Sequence, residues 1–223
     1  MRIACGLIAR RPPFRLSEIF SYILSGGLEH KDSMGNVEIL ERGHVQFTSA
    51  GTGISHSEFN ADKRRGGKPV RFLQIWCLPS ARGLKPSYQT GLFPDAAKTD
   101  AFATLIEPAA TPVRTPGVIG INNEAVSMRA CILSAGAEVT LPRGAAREAY
   151  VHVPIMPGAV GVEIVPSRGE PVSLAPGDGA FVRAIEGELR FVGLAAAAVA
   201  GADGAAALAP APAKTEFVVL SWT

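Results

Sequence analysis

Glycine and proline cut this chain into short runs, and that punctuation constrains the fold more than any other feature. The 223 residues include 24 glycines and 17 prolines, a density that suits many short strands joined by tight turns rather than a helical bundle. Residues 18–24 (EIFSYIL) form the first run, rich in β-branched and aromatic side chains, and Gly26-Gly27 interrupts it. Residues 28–31 follow, then a turn by composition at Asp32-Ser33-Met34-Gly35-Asn36. Val37 and Ile39 flank polar Glu38 as a half-buried strand requires. Further strands are expected at 45–48, 54–59 and 70–78, separated by turns at Arg42-Gly43 and Ala50-Gly51-Thr52-Gly53 and by a basic loop at 60–68.

A second series of strands is expected at 128–133, 136–141, 150–154, 160–165, 180–183, 189–194 and 216–222. Between the series, Pro94, Pro108, Pro112 and Pro116 mark a connector, with a short helix near 94–99 and a strand near 101–107. The expected architecture is all-β. Two antiparallel modules occupy 1–90 and 118–223, are joined by a connector over 91–117, and each closes as a sandwich or jelly roll.

Composition excludes several classes of function. A formal net charge of +2 gives no general electrostatic case for nucleic acid. The cluster Lys63-Arg64-Arg65 reads as a solvated loop. Cys5, Cys77 and Cys131 are odd in number and show no CxxC pairing, so small buried thiols are expected rather than a disulfide framework or a zinc site. No apolar run is long enough to span a membrane, and the Ala-rich stretch 195–209, broken by Gly201, Asp203 and Gly204, reads as a low-complexity insert. A cytosolic or nuclear location is the corresponding expectation. Nucleotide-loop, nucleophile-elbow and zincin motifs are absent from the sequence.

The chemistry concentrates in Gly51-Thr52-Gly53-Ile54-Ser55-His56-Ser57-Glu58-Phe59-Asn60. His56 and Glu58 lie two apart on an expected strand, so both side chains share one face. If that face looks inward, an imidazole and a carboxylate converge, a mixed N/O pair suited to iron or manganese. The alternative is a partly exposed histidine beside a surface glutamate. The Gly51/Gly53 turn would let the backbone approach the same spot.

Tyr22-Ile23-Leu24-Ser25-Gly26-Gly27-Leu28-Glu29-His30-Lys31-Asp32-Ser33-Met34-Gly35-Asn36, the HSEFN stretch, and Phe72-Leu73-Gln74-Ile75-Trp76 followed by Pro79, Arg82-Gly83-Leu84 and Pro86 closely resemble the pirin family. The likeness is strong over about 18–88 and only pattern-level from Val118 onward. It implies a bicupin whose first barrel holds one iron with three histidines and a glutamate, and whose second barrel carries no metal. Two of those ligands match His56 and Glu58; Glu58 would also be the catalytic proton acceptor. The other two lie in an H-P-H-R string, and here Pro12 and Phe14 occupy their positions, with Arg15 on the family's arginine. Two of four Fe(II) ligands are therefore missing, and residues 1–17 are expected to be a truncated or altered start. His30 and His44 are the only histidines nearby that could complete the set; in family terms His30 is not a ligand, and His44, after a turn glycine, is expected to face solvent. Gln74 either supports the ligands or makes a cross-strand hydrogen bond. The resemblance implies quercetin 2,3-dioxygenase activity on a flavonol-like small molecule, weak or absent in this chain. The alternative it implies is a metal- or redox-dependent cofactor that binds a transcription factor.

Overall fold

The computed structural model describes residues 17–64, 67–112, 117–141, 144–195 and 213–222. The chain divides into two compact units, and the described parts of both are built almost wholly of strands.

The first unit takes residues up to Pro94 together with Leu105–Glu124. Its strands are β1 (Glu18–Ser25), β2 (Gly27–Asp32), β3 (Val37–Glu41), β4 (His44–Ser49), β5 (His56–Asn60), β6 (Arg71–Cys77) and β7 (Ser87–Leu92), followed by the end of β8 (Ala103–Pro108) and by β9 (Ile119–Ile121). One sheet runs β6-β1-β4-β7 and a second runs β3-β2-β5. All the pairings in these two sheets are antiparallel. β1 lies between two neighbours and is buried on both faces. Phe20 and Tyr22 are fully buried on one face and Ser21 on the other, as a period of two demands. Ile23, Leu28 and Leu40 pack with Val70 and Phe72, tying the two sheets together through apolar burial.

Even the charge at the start of β1 is built in. Glu18 is fully buried, yet it accepts hydrogen bonds from the Asn122 backbone (3.0 Å) and side chain (2.7 Å) and from the Asn123 backbone (3.0 Å). Those donors offset the cost of burying a carboxylate. They also anchor the segment after β9 to the first unit.

The second unit takes Asp95–Thr104 and the residues from Ala125 onward. It contains β10 (Val126–Ser134), β11 (Glu138–Leu141), β12 (Glu148–His152), β13 (Val162–Pro166), β14 (Val172–Leu174), β15 (Gly179–Val182), β16 (Leu189–Gly193) and β17 (Lys214–Trp222). β15, β12, β17 and β10 lie side by side in one sheet, of order β15-β12-β17-β10-β8-β9, and β11-β16-β13-β14 form the other. Leu133, Val151, Ile164, Leu189, Phe191 and Phe217 lie in the core between them. Each unit is thus a two-sheet antiparallel module, the jelly-roll architecture expected of a bicupin.

The structure redraws the connector. Residues 91–117 are shared between the units rather than separating them. β7 runs across the expected boundary and pairs with β4 from Ser49↔Ser87 to His44↔Leu92. The prolines punctuate strands: Pro94 precedes a 3-10 turn at Asp95–Ala97, and Pro108 ends β8, which pairs in parallel with β9. β9 and β14, three residues each, have too little periodicity to be seen in the sequence.

The turn before β5 also serves a different end from the one expected. Gly51 has φ +49°, and a Cβ there would meet the Leu84 carbonyl oxygen and the Pro86 nitrogen. Its freedom admits the neighbouring backbone, sealed by Thr52 N–H donating to Leu84 O at 2.9 Å, and not a ligand. In the basic loop, Arg64 donates to Asp62 through Nε at 2.8 Å and Nη2 at 2.7 Å, while Lys63 pairs with Glu29 at 2.6 Å. Two of the clustered cations therefore already have carboxylate partners, and Arg65 lies outside the described residues. Burial pushes the thiols of Cys77 and Cys131 up to about 12, so both stay protonated; Cys5 lies outside the described residues. No helix among the described residues is long and apolar enough to cross a membrane. The Ala-rich stretch lies outside them from residue 196 onward.

Candidate metal centre

Two short motifs of the same form meet on neighbouring strands of the first unit. His30-x-Asp32 ends β2 and His56-x-Glu58 opens β5, and the strands pair antiparallel with His30 opposite Glu58 and Asp32 opposite His56. Each histidine therefore faces the other strand's carboxylate. Period two puts all four side chains on one face, and all four are buried, with Ser57 half-buried and Phe59 exposed on the reverse. One donor atom each from His30, His56 and Glu58 lies within 4.8 Å of the others. His30 Nδ1 stands 3.8 Å from Glu58 Oε1, an ion-pair distance rather than a hydrogen bond. The rings of His30 and His56 meet edge-on at 5.6 Å, and Tyr88 stacks on His30 at 4.7 Å.

The facing sheet holds Glu58 in place. Register aligns Gln74 of β6, Ser21 of β1 and Gln46 of β4 in one row. Gln46 Nε2 donates to Glu58 Oε1 at 2.9 Å and Gln74 Nε2 donates to Oε2 at 3.0 Å. Gln74 also reaches Ser21 Oγ at 3.3 Å, so it fills both roles open to it in the sequence. Each carboxylate oxygen thus receives one amide donor and keeps a lone pair for another partner. Meanwhile His30 Nδ1 and His56 Nδ1 are buried with no hydrogen-bond partner among the described residues. Orphaned buried nitrogens are costly. Two of them beside a fixed carboxylate form a donor set that suits a divalent first-row metal.

Electrostatics sharpen the arrangement. Burial pushes the Glu58 carboxyl up, but the nearby His30 imidazole, the hydrogen bond from Gln46 and the attraction of the His56 imidazole outweigh it, so the group sits below its ordinary 4.5. For His56, burial lowers the imidazole below its ordinary 6.5; Glu58 pulls it up, His30 pushes it further down, and the net direction is down. Asp32 also sits below the ordinary range: burial raises it, and hydrogen bonds from the Asn36 side chain and backbone, His30 and Met34 more than compensate. Neutral imidazole beside ionised carboxylate is the protonation state a metal requires.

Stability follows from the same directions. A depressed folded value means that the unfolded chain binds the proton more tightly, so stability is present above the unfolded value and is lost as pH falls through the folded one. Metal-free protein should therefore lose thermal stability on acidification below about 6.5 through His56, and again below the carboxylate range through Glu58 and Asp32. Melting temperatures in chelator from pH 8 down to pH 3 check this. A flat profile, or an unchanged slope in His56→Gln, would contradict it.

The other sequence candidates fall elsewhere. His44 accepts from the Glu41 backbone N–H at 3.2 Å, away from the cluster. His152, which is not a candidate, lies in the second unit 2.9 Å from the Asp178 carbonyl and stacks on Tyr150. Pro12 and Phe14 lie outside the described residues. His30, which the family pattern leaves out of the ligand set, is in the cluster. Asp32, Gln46 and Tyr88 are additions that the sequence reading missed. The second unit carries a cleft of about 530 Å³, lined in part by Ile164, Phe181, Val182, Arg183 and Leu189, with no histidine or cysteine among the described residues of its walls.

Comparison with known proteins gives the site a context. The family model described as Pirin matches residues 5–77, so the likeness extends to the residues before Glu18. A Pseudomonas aeruginosa protein described as a candidate quercetin 2,3-dioxygenase is 36% identical over 170 residues, covering 75% of this chain and 67% of its own length. One from Pasteurella multocida is 41% identical over 98 residues, 44% of this chain and 40% of that protein. The Escherichia coli quercetin 2,3-dioxygenase is 42% identical over 81 residues, 36% of this chain and 34% of that enzyme. The chain thus spans between about a third and two thirds of the length of these relatives. Among solved structures, YhhW from Escherichia coli superposes with TM-score 0.70 over 94% of this chain and 73% of its own, at 22% identity, a likeness of fold alone. A further structure of that bacterial pirin is a complex with nickel(II). The Pseudomonas match, the family model and the shared fold agree: this chain belongs to the pirin family.

Proposed function

We propose that this chain is a metal-dependent dioxygenase of flavonol-like substrates, with iron(II) as its metal, working below the rate of a relative that has all four family ligands. The observation that carries this reading is the buried Glu58 carboxylate, fixed through both oxygens by Gln46 and Gln74, beside two imidazole nitrogens that lack hydrogen-bond partners among the described residues. His56 and Glu58, which match the family motif, are the residues that would hold the ion. Bound iron would supply a Lewis acid and a redox partner for dioxygen and the flavonol.

The chain's own part is positional and protolytic. Glu58 is ionised and fixed, so it can accept the proton of a flavonol hydroxyl at whichever oxygen lone pair the amides leave free. Gln46 and Gln74 keep the carboxylate from rotating and stabilise its charge until that transfer neutralises it. The reduced rate follows from the ligands expected at positions 12 and 14, where Pro12 and Phe14 offer no donor.

The test is turnover of quercetin by the full chain reconstituted with iron(II) under controlled oxygen, followed by loss of flavonol absorbance and by oxygen uptake. Turnover that depends on iron and is at least tenfold below the Escherichia coli enzyme is the expected result. No iron-dependent turnover at any loading would overturn the reading; turnover equal to that enzyme would overturn the reduced rate.

A further inference from the structure

His30 stands at the centre of the cluster, and its two nitrogens have different surroundings. Nε2 lies 3.4 Å from Asp32 Oδ2. Asp32 is itself locked as an acceptor by its own turn: Oδ1 receives the backbone N–H of Met34 at 2.8 Å and of Asn36 at 3.0 Å, and Oδ2 receives Asn36 Nδ2 at 2.7 Å. With these three groups donating to it, that carboxylate faces the imidazole as an acceptor, and Nε2 carries the proton. Nδ1 is left with its lone pair. It is buried, has no hydrogen-bond partner among the described residues, and points at the side of the site that Glu58 Oε1 occupies, 3.8 Å away. Tyr88 stacks on the ring at 16° and covers one of its faces.

A carboxylate that fixes the tautomer and aims the free nitrogen inward is the usual support of a metal-bound histidine. We infer that His30 is a metal ligand of this chain through Nδ1, completing a two-histidine, one-carboxylate set with His56 and Glu58, and that Asp32 is its positioning residue. Such a set leaves positions open for substrate and dioxygen. It departs from the ligand set that the family resemblance implies, where this histidine has no such role. The inference rests on the metal-dependent reading above and names how this chain could sustain it with Pro12 and Phe14 in place of two histidines.

The experiment uses the full chain and two probe metals. Nickel(II) affinity is measured by chelator competition for the wild type, His30→Gln, Asp32→Asn and His44→Gln. Copper(II)-loaded wild type is examined by pulsed EPR, which counts coordinated imidazoles. One ion per chain, two imidazoles on copper, nickel affinity at least tenfold weaker in His30→Gln, about tenfold weaker in Asp32→Asn and unchanged in His44→Gln are the expected results. A single coordinated imidazole, or wild-type nickel affinity in a folded His30→Gln, overturns the assignment of His30 while leaving the metal reading standing. No stoichiometric ion in the wild type overturns both. If His30→Gln does not fold, the imidazole count on the wild type decides alone.

Discussion

Glu58→Gln should abolish iron-dependent quercetin turnover, by about 100-fold or more, while leaving the fold nearly as stable as before. The substitution keeps the side chain's shape but removes the charge proposed to hold the metal and to accept the substrate proton, a contribution typically of about 10²–10⁴ in rate. The amide nitrogen it introduces would confront a donor, Nε2 of Gln46 or of Gln74. Gln46 can resolve this by turning its amide over, because its own Oε1 is buried without a partner among the described residues. The hydrogen bond is then remade with roles exchanged, and the stability cost should stay near about 1 kcal/mol. Turnover within tenfold of wild type, or a collapse in melting temperature, would refute this account of Glu58.

The largest effect on folding is expected in the second unit. Phe191 is fully buried, stacks on Phe217 at 5.0 Å and meets Phe102 edge-on at 5.5 Å. Phe191→Ala removes a large buried side chain and leaves Phe102 and Phe217 lining a void, which should cost about 3–5 kcal/mol. That is a large share of the stability of an ordinary domain. Phe191→Leu, which refills most of the volume, should recover most of it. Denaturant titrations of the three proteins check the ranking; a loss below about 1 kcal/mol in the alanine variant would mean that the aromatic trio does not hold this core together.

The sequence exposed what local periodicity can carry and hid what pairing decides. His56 and Glu58 were legible as a pair because two residues on one strand share a face whatever the neighbours do. His30-x-Asp32 has the same spacing, but its relation to His56-x-Glu58 exists only through the β2–β5 register, which no local pattern fixes. The signal available was the repeat of a histidine-x-carboxylate motif on two strands of one module. Gln46 was hidden because β4 is buried on both faces from Val45 onward, so its strand lacks the in–out alternation that would mark a polar residue as unusual. Ser21, Gln46 and Gln74 stand out only once they form a row across the sheet. The strand framework was legible because turn residues bound almost every strand. The connector was misjudged because prolines that close strands look, in sequence, like prolines that prevent them.

Crystals of the full chain soaked in nickel(II) or iron(II), with diffraction collected at the metal's absorption edge, test the central claim directly. Anomalous density for a single ion should appear in the first unit among His30, His56 and Glu58, within bonding distance of the Glu58 carboxylate. An ion bound elsewhere, or a fully soaked crystal with no anomalous peak between those three side chains, would contradict it.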